Sequence, residues 1–147
     1  MKEVAKPKRK VFVLLAPFDG HLNAVICMMK ELVDRGGGNV HVVFYSIERF
    51  RPLVEKSGAE FRPYTYFPAK LAEQISLQES ANFYFSFLCN LLDFADKVIP
   101  VLTADVERDR PDLLVYDHIS LHAKFLRKVL EKRRRWRRLK SGAAASS

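Results

Sequence analysis

The sequence predicts an α/β domain in which helices cover both faces of a parallel sheet. Three observations carry this. Short apolar runs alternate with segments of helical periodicity in the order β-α-β-α-β-α-β-α, and strands that alternate with helices pair in parallel. The first run, residues 10–16 ("KVFVLLA"), lacks polar alternation, as a strand buried on both faces does. A length of 147 residues, 48% of them hydrophobic, suits one such domain with a real core.

The elements follow in order. After the strand at 10–16, residues 21–35 set Leu22, Val25, Ile26, Met29, Leu32 and Val33 at helical spacing, one apolar stripe. Gly36, Gly37 and Gly38 stop this helix, because glycine tolerates the left-handed conformation of a helix end. Residues 39–45 ("NVHVVFY") are β-branched and aromatic, a second strand. A short helix at 47–57 ends at Gly58, and "AEFRPY" is a third strand stopped by Pro63. Residues 64–78 read as an irregular aromatic loop beside a cleft. Residues 79–109 are helical in pattern, and Pro100 predicts a break into two helices. Residues 112–116 form the last strand, with Asp117 at its end, and 119–131 an amphipathic helix.

Charge divides the chain. The net charge of +8 arises from residues 1–10, at +4, and 124–147, at +9, while 11–123 carries −5. The expected organisation is a basic extension at 1–9, a domain at 10–131 and a basic, low-complexity, disordered tail at 132–147. The tail's "RRRWRRLK" interleaves Trp136 with cations, a pattern that also fits nucleic acid or an acidic membrane surface. A run of this kind is more commonly a solvated tail, and nucleic acid is not the expected partner.

"KPKRKVFVLLAPF" imitates a secretory signal, but Asp19 follows at once and no small-x-small cleavage site is present. The longest uncharged run, residues 80–92, has 13 residues, too few to span a bilayer. Cys27 and Cys89 sit in apolar patterns with neither disulfide nor metal spacing, so the expected compartment is the reducing cytoplasm.

Ligands of parallel α/β sheets bind at the carboxyl ends of the strands. His21 follows the first strand and Asp117 the last, so both belong to that edge. At a helix N-terminus the dipole disfavours added positive charge, which keeps an imidazole in the form that accepts a proton. A carboxylate on its other nitrogen would fix the tautomer and support the imidazolium that forms. His21 with Asp117 is therefore a candidate base pair for activating a hydroxyl; a histidine that merely caps or fills the loop is the alternative. His118 and His122, four apart, compete for the role or could bind metal, but no third ligand is evident. No G-x-G-x-x-G or Walker motif follows a strand, so nothing here is equipped to hold a diphosphate. The aromatic residues 83–87 should be mostly core. Phe18, Tyr64, Tyr66, Phe67, Phe85 and His118 are candidates to line an apolar pocket beside His21, suited to a lipophilic alcohol or phenol.

These segments resemble a known family. The strand followed by x-x-x-Gly-His-x-Asn, the helix closing on "LVDRG", then "PLVEKSGAEFRPY" and "DLLVYDHISLHAKFLRKVL" together look like the amino-terminal half of family 1 glycosyltransferases, above all the macrolide-type UDP-glycosyltransferases. The resemblance covers about residues 9–130. It implies the GT-B fold, two Rossmann-like domains facing across a cleft, of which this would be the acceptor-binding one. It further implies His21 as general base, Asp117 as the residue orienting it, and inverting transfer from a UDP-sugar without a metal. Two departures stand out. Ala24 replaces the family's usual proline, and "EKRRRWRRLKSGAAASS" occupies the place where a further strand and the donor domain would follow. The expectation is thus an acceptor half that does not transfer sugar alone and uses no cofactor of its own. A stand-alone module for a small apolar ligand is the alternative.

Overall fold

The computed structural model describes residues 8–69, 71 and 81–144. It contains β1 (Arg9–Leu14), α1 (Asp19–Gly36), β2 (Val40–Ser46), a 3-10 turn (Glu48–Phe50), α2 (Arg51–Lys56), β3 (Glu60–Pro63), α3 (Ala81–Asp109), β4 (Leu113–Val115) and α4 (Leu121–Ala144). The strands form one parallel sheet in the order β3-β2-β1-β4. This is the Rossmann-like α/β arrangement that the alternation of elements predicts.

Successive side chains of a strand point to opposite faces, and the apolar run of β1 uses both. Phe12 and Leu14 enter a core with Phe94, Val98 and Leu102 of α3 and Leu126 of α4. Val11 and Val13 enter the other, with Leu22, Ile26 and Met29 of α1 and Val54 of α2. Helices on both faces explain why β1 carries no polar alternation. At the end of α1, Gly37 adopts φ +53° and its N–H bonds to the Asp34 carbonyl, the stop that the glycine triplet announces.

β1 lies between β2 and β4. Its register with β4 pairs Val11 with Leu113, Phe12 with Leu114 and Val13 with Val115. Asp112 extends this seam: its N–H donates to the Lys10 carbonyl at 2.8 Å and its carboxylate accepts the Lys10 N–H at 2.8 Å. The chain thus crosses from one side of β1 to the other, and a crevice opens at the carboxyl ends of β1 and β4.

Three expectations are corrected. Pro100 does not divide the helix: α3 is continuous from Ala81 to Asp109. Pro100 faces solvent, where water can take the carbonyl that loses its N–H partner, while Phe94, Val98, Leu102 and Val106 hold the buried face on both sides of it. Tyr45 donates to Asp105 at 2.8 Å, and Arg62 of β3 pairs with Asp109, fastening the end of α3 to the sheet. Nor does a tail begin at residue 132, since α4 runs on to Ala144. Residues 121–141 contain neither glycine nor proline, their lysines, arginines and leucines favour helix, and Arg133 bonds Glu107 of α3 at 2.9 Å. The basic extension yields Arg9 to β1, where it pairs with Asp112; residues 1–7 and 145–147 lie outside the described residues. So does most of the expected loop, at 70 and 72–78. Cys27 and Cys89 are exposed and free despite their apolar neighbours in sequence. Among the described residues no helix is long and apolar enough to cross a membrane.

Replacing Pro100 with alanine restores one backbone donor on the exposed side of α3. Pro100→Ala is expected to stabilise the domain by roughly 1–3 kcal/mol. A urea unfolding curve checks this, with the midpoint moving upward.

Candidate active site

α1 begins directly beyond β1. Phe18 is extended at the N-cap position, and its carbonyl accepts the Leu22 N–H at 2.9 Å. His21 is therefore in the first turn of α1. Asp19 beside it suits the positive end of the helix and pairs with Arg49 at 2.5 Å.

Across the crevice, β4 ends at Val115 and the chain turns through Asp117 to Ser120 before α4 begins. Asp117 Oδ1 accepts the Ser120 N–H at 3.0 Å and the Ser120 hydroxyl at 2.5 Å. Asp117 Oδ2 lies 2.6 Å from His21 Nδ1. Side-chain exposure is 30% for His21 and 16% for Asp117, so solvent reaches the imidazole more than the carboxylate. A carboxylate is acceptor-only, so Nδ1 carries the proton and Nε2 of a neutral ring is left as an acceptor. That arrangement can take a proton from a bound hydroxyl.

His21 borders a cavity of about 400 Å³. Residues from Phe18 to His21 make one wall, Phe83, Tyr84 and Phe87 of α3 the other, and Ile119 contributes from the turn after β4. Phe87 stacks on Phe83 with ring centroids 5.8 Å apart and meets Phe18 at 5.9 Å. The site sets an aromatic wall beside the His21 imidazole and the Asp19 carboxylate.

The residues expected to line this pocket are only partly there. Phe18 lines it. Phe67 sits behind, against Phe18 at 6.3 Å and Phe94 at 5.5 Å. His118 lies beside His21, ring centroids 5.5 Å apart, but is not a lining residue. Tyr64 is core instead: it is buried, and its hydroxyl donates to the Leu15 carbonyl at 2.9 Å. Tyr66 bonds Asp93 at 2.6 Å away from the cavity. Phe85 is 73% exposed and faces outward. The lining aromatics that sequence reasoning assigned to the core are Tyr84 and, four residues apart, Phe83 and Phe87. Their i, i+4 spacing was the available signal, since at 100° per residue they share a face that Phe85 opposes.

His118 and His122 do not form a metal pair. α4 begins only at Leu121, which leaves His118 in the turn, and His122 is buried with its Nε2 2.9 Å from the Tyr64 hydroxyl. The single proton of that hydroxyl goes to Leu15, so His122 is the donor in this contact. Among the described residues no group of three or more His, Cys, Asp or Glu could hold a metal ion.

No family model matches the chain. It is 24% identical over 121 residues to an uncharacterized UDP-glucosyltransferase, YojK, of Bacillus subtilis (strain 168), an alignment covering 82% of this chain and 29% of the relative. It is 24% identical over 127 residues to the NDP-glycosyltransferase YjiC of the same organism, covering 84% and 30%. Among solved structures, the glycotransferase of kitacinnamycin superposes with a TM-score of 0.64 at 28% identity, over 86% of this chain and 29% of that one. The two curated relatives are named a UDP-glucosyltransferase and an NDP-glycosyltransferase. The spinosyn rhamnosyltransferase SpnG shares the fold at a TM-score of 0.65 and 19% identity, over 84% of this chain and 32% of its own. This glycosyltransferase-like chain spans about 30% of the length of the curated relatives it matches.

The buried histidine makes the domain sensitive to acid. Burial pushes the His122 imidazole down to about 4, against a smaller upward pull from the Asp117 charge. The unfolded chain takes up this proton below about pH 6.5, while the folded chain resists it until about 4. Stability is thus full above the unfolded value and lost as pH falls. The loss between about pH 6.5 and pH 5 is expected to be roughly 2 kcal/mol. Urea midpoints across this range check it, and His122→Gln, which keeps a donor for Tyr64 but cannot titrate, flattens the slope.

Proposed function

We propose that this chain is the acceptor-binding part of an inverting, UDP-sugar-dependent glycosyltransferase acting on a hydroxyl of a small lipophilic acceptor. The observation that carries the reading is the His21–Asp117 contact at 2.6 Å on the edge of an aromatic-walled cavity. The likeness to UDP- and NDP-glycosyltransferases supports it.

In this reading the acceptor's apolar body lies against Phe18, Phe83 and Phe87, with its hydroxyl at His21 Nε2. The imidazole takes the hydroxyl proton, and Asp117 supports the positive charge that the ring gains. The acceptor oxygen attacks the anomeric carbon of the donor sugar. The bond from that carbon to the nucleotide's phosphate oxygen breaks on the opposite side, releasing a nucleoside diphosphate with its electron pair and inverting the anomeric centre. No strand-following glycine motif in this chain is suited to a diphosphate, so the donor would be held by residues outside it, in a nucleotide-sugar domain.

A chimera in which this chain replaces the corresponding part of YjiC tests the proposal. It is expected to transfer sugar from a UDP-sugar to a lipophilic phenol. His21→Ala should lower kcat by about 10²–10⁴-fold with little change in donor KM. Asp117→Asn should lower it less, because the amide oxygen can still accept the Nδ1 proton. Unchanged turnover in His21→Ala would rule His21 out as the base.

A further inference from the structure

Beyond the His–Asp pair, one buried side chain controls how Asp117 is presented. Ser120 is fully buried. It occupies the N-cap position of α4, and its carbonyl accepts the Ala123 and Lys124 N–H groups. At such a position a serine hydroxyl ordinarily accepts an N–H from the first turn of the helix. The Ser120 hydroxyl instead bridges to the other side of the crevice: it accepts the Ala16 N–H at 2.9 Å and donates to Asp117 Oδ1 at 2.5 Å.

The direction of this chain of bonds is forced. The Ala16 N–H can only donate, so the serine proton is free to go to Asp117 and has an ionised acceptor there. Oδ1 then holds the Ser120 hydroxyl and N–H together, and Oδ2 is turned to His21 Nδ1. Ala16 follows β1 and Ser120 precedes α4, so one hydroxyl ties the ends of the two strand-exit loops and aims the carboxylate. A departure from local capping preference with a compensating contact at a site is where function is sought.

We infer that Ser120 is a positioning residue: through Asp117 it holds His21 in the Nδ1–H tautomer and leaves Nε2 as the acceptor. Its importance for turnover rests on the function proposed above, but the tautomer is a property of this chain alone and is measured without donor or acceptor.

The test is nitrogen NMR of the histidine rings in this chain, labelled with ¹⁵N-histidine, at roughly pH 8, where a free imidazole is neutral. His21→Gln assigns the signals. In the unaltered chain one ring nitrogen of His21 should resonate as protonated, Nδ1, and the other as bare. In Ser120→Ala the carboxylate loses its hydroxyl donor. The ratio of Nδ1–H to Nε2–H is expected to fall as Oδ2 loses its fixed aim at Nδ1, and the two resonances should converge. Ser120→Ala also leaves the Ala16 N–H buried without its partner. If that variant does not fold, Ser120→Cys keeps the size with a weaker donor and should move the ratio in the same direction by less. Tyr64→Phe is the control: it removes buried hydrogen bonds nearby without touching Asp117 and should leave the His21 tautomer unchanged. An unshifted His21 in a folded Ser120 variant overturns the inference, as does an equal shift in Tyr64→Phe. Failure of sugar transfer in the chimera, with the tautomer shift intact, would count against the function alone.

Discussion

The site depends on the parallel pairing of β1 with β4. Three residue pairs and the double backbone–carboxylate contact of Asp112 set these strands side by side with their carboxyl ends level. α1 then leaves to one face of the sheet and α4 to the other. Two helices that part in this way leave a crevice between their starting turns. His21 and Asp117, 96 positions apart in sequence, meet there because each stands a fixed distance beyond the end of its own strand. A slip of one residue in this register would turn the side chains of β4 to the opposite faces and carry the Asp117 turn with them.

How legible this was in the sequence depends on whether a feature is set by local pattern and topology or by contacts with distant neighbours. The unbroken apolar run of β1, the 3.6-residue stripe of α1 and the glycine stop are local patterns, and all are found in the structure. The His21–Asp117 pairing was legible for the same reason, because topology alone brings the two strand ends to one edge. What failed needed knowledge of neighbours. Pro100 reads as a break only while the helix around it is considered alone; packed against Phe12 and Tyr45, the buried side of α3 outweighs one missing donor. Tyr64 looks like a pocket residue until the Leu15 carbonyl and His122 are seen to claim its hydroxyl. Ser120 could not be distinguished from an ordinary cap, since a capping serine and a bridging serine are the same letter.

The histidines show how environment divides one chemistry. His122 is sealed by Tyr64 and Phe94 and serves as a neutral donor. His41 sits on the surface of the sheet, 2.8 Å from Glu60 of the neighbouring strand. His118 lies against the ring of His21, and Lys124 bonds its carbonyl. Only His21 combines a fixed carboxylate, partial exposure and a cavity. A base needs all three: a partner to hold the tautomer, access for the substrate, and an enclosure to position it.

α3 joins the site to the stability of the domain, and its two ends are under different constraints. Toward Asp109 it is fixed by Val98, Leu102 and Val106 in the core and by the bonds of Tyr45 and Arg62 to Asp105 and Asp109. Toward Ala81 it presents Phe83, Tyr84 and Phe87 to the cavity, while Phe85 and Leu88 face solvent. Substitution near Asp109 must therefore satisfy close packing and a set of charges at once, and small changes there are costly. Substitution at Phe83 or Tyr84 alters the shape of the cavity with little of the core at stake, whereas Phe87 also packs against the core. A domain built this way can keep the His21–Asp117 contact and one strand pairing while its apolar wall is reshaped. On the function proposed above, the choice of acceptor would rest on the aromatic residues at the start of α3 more than on the His–Asp pair.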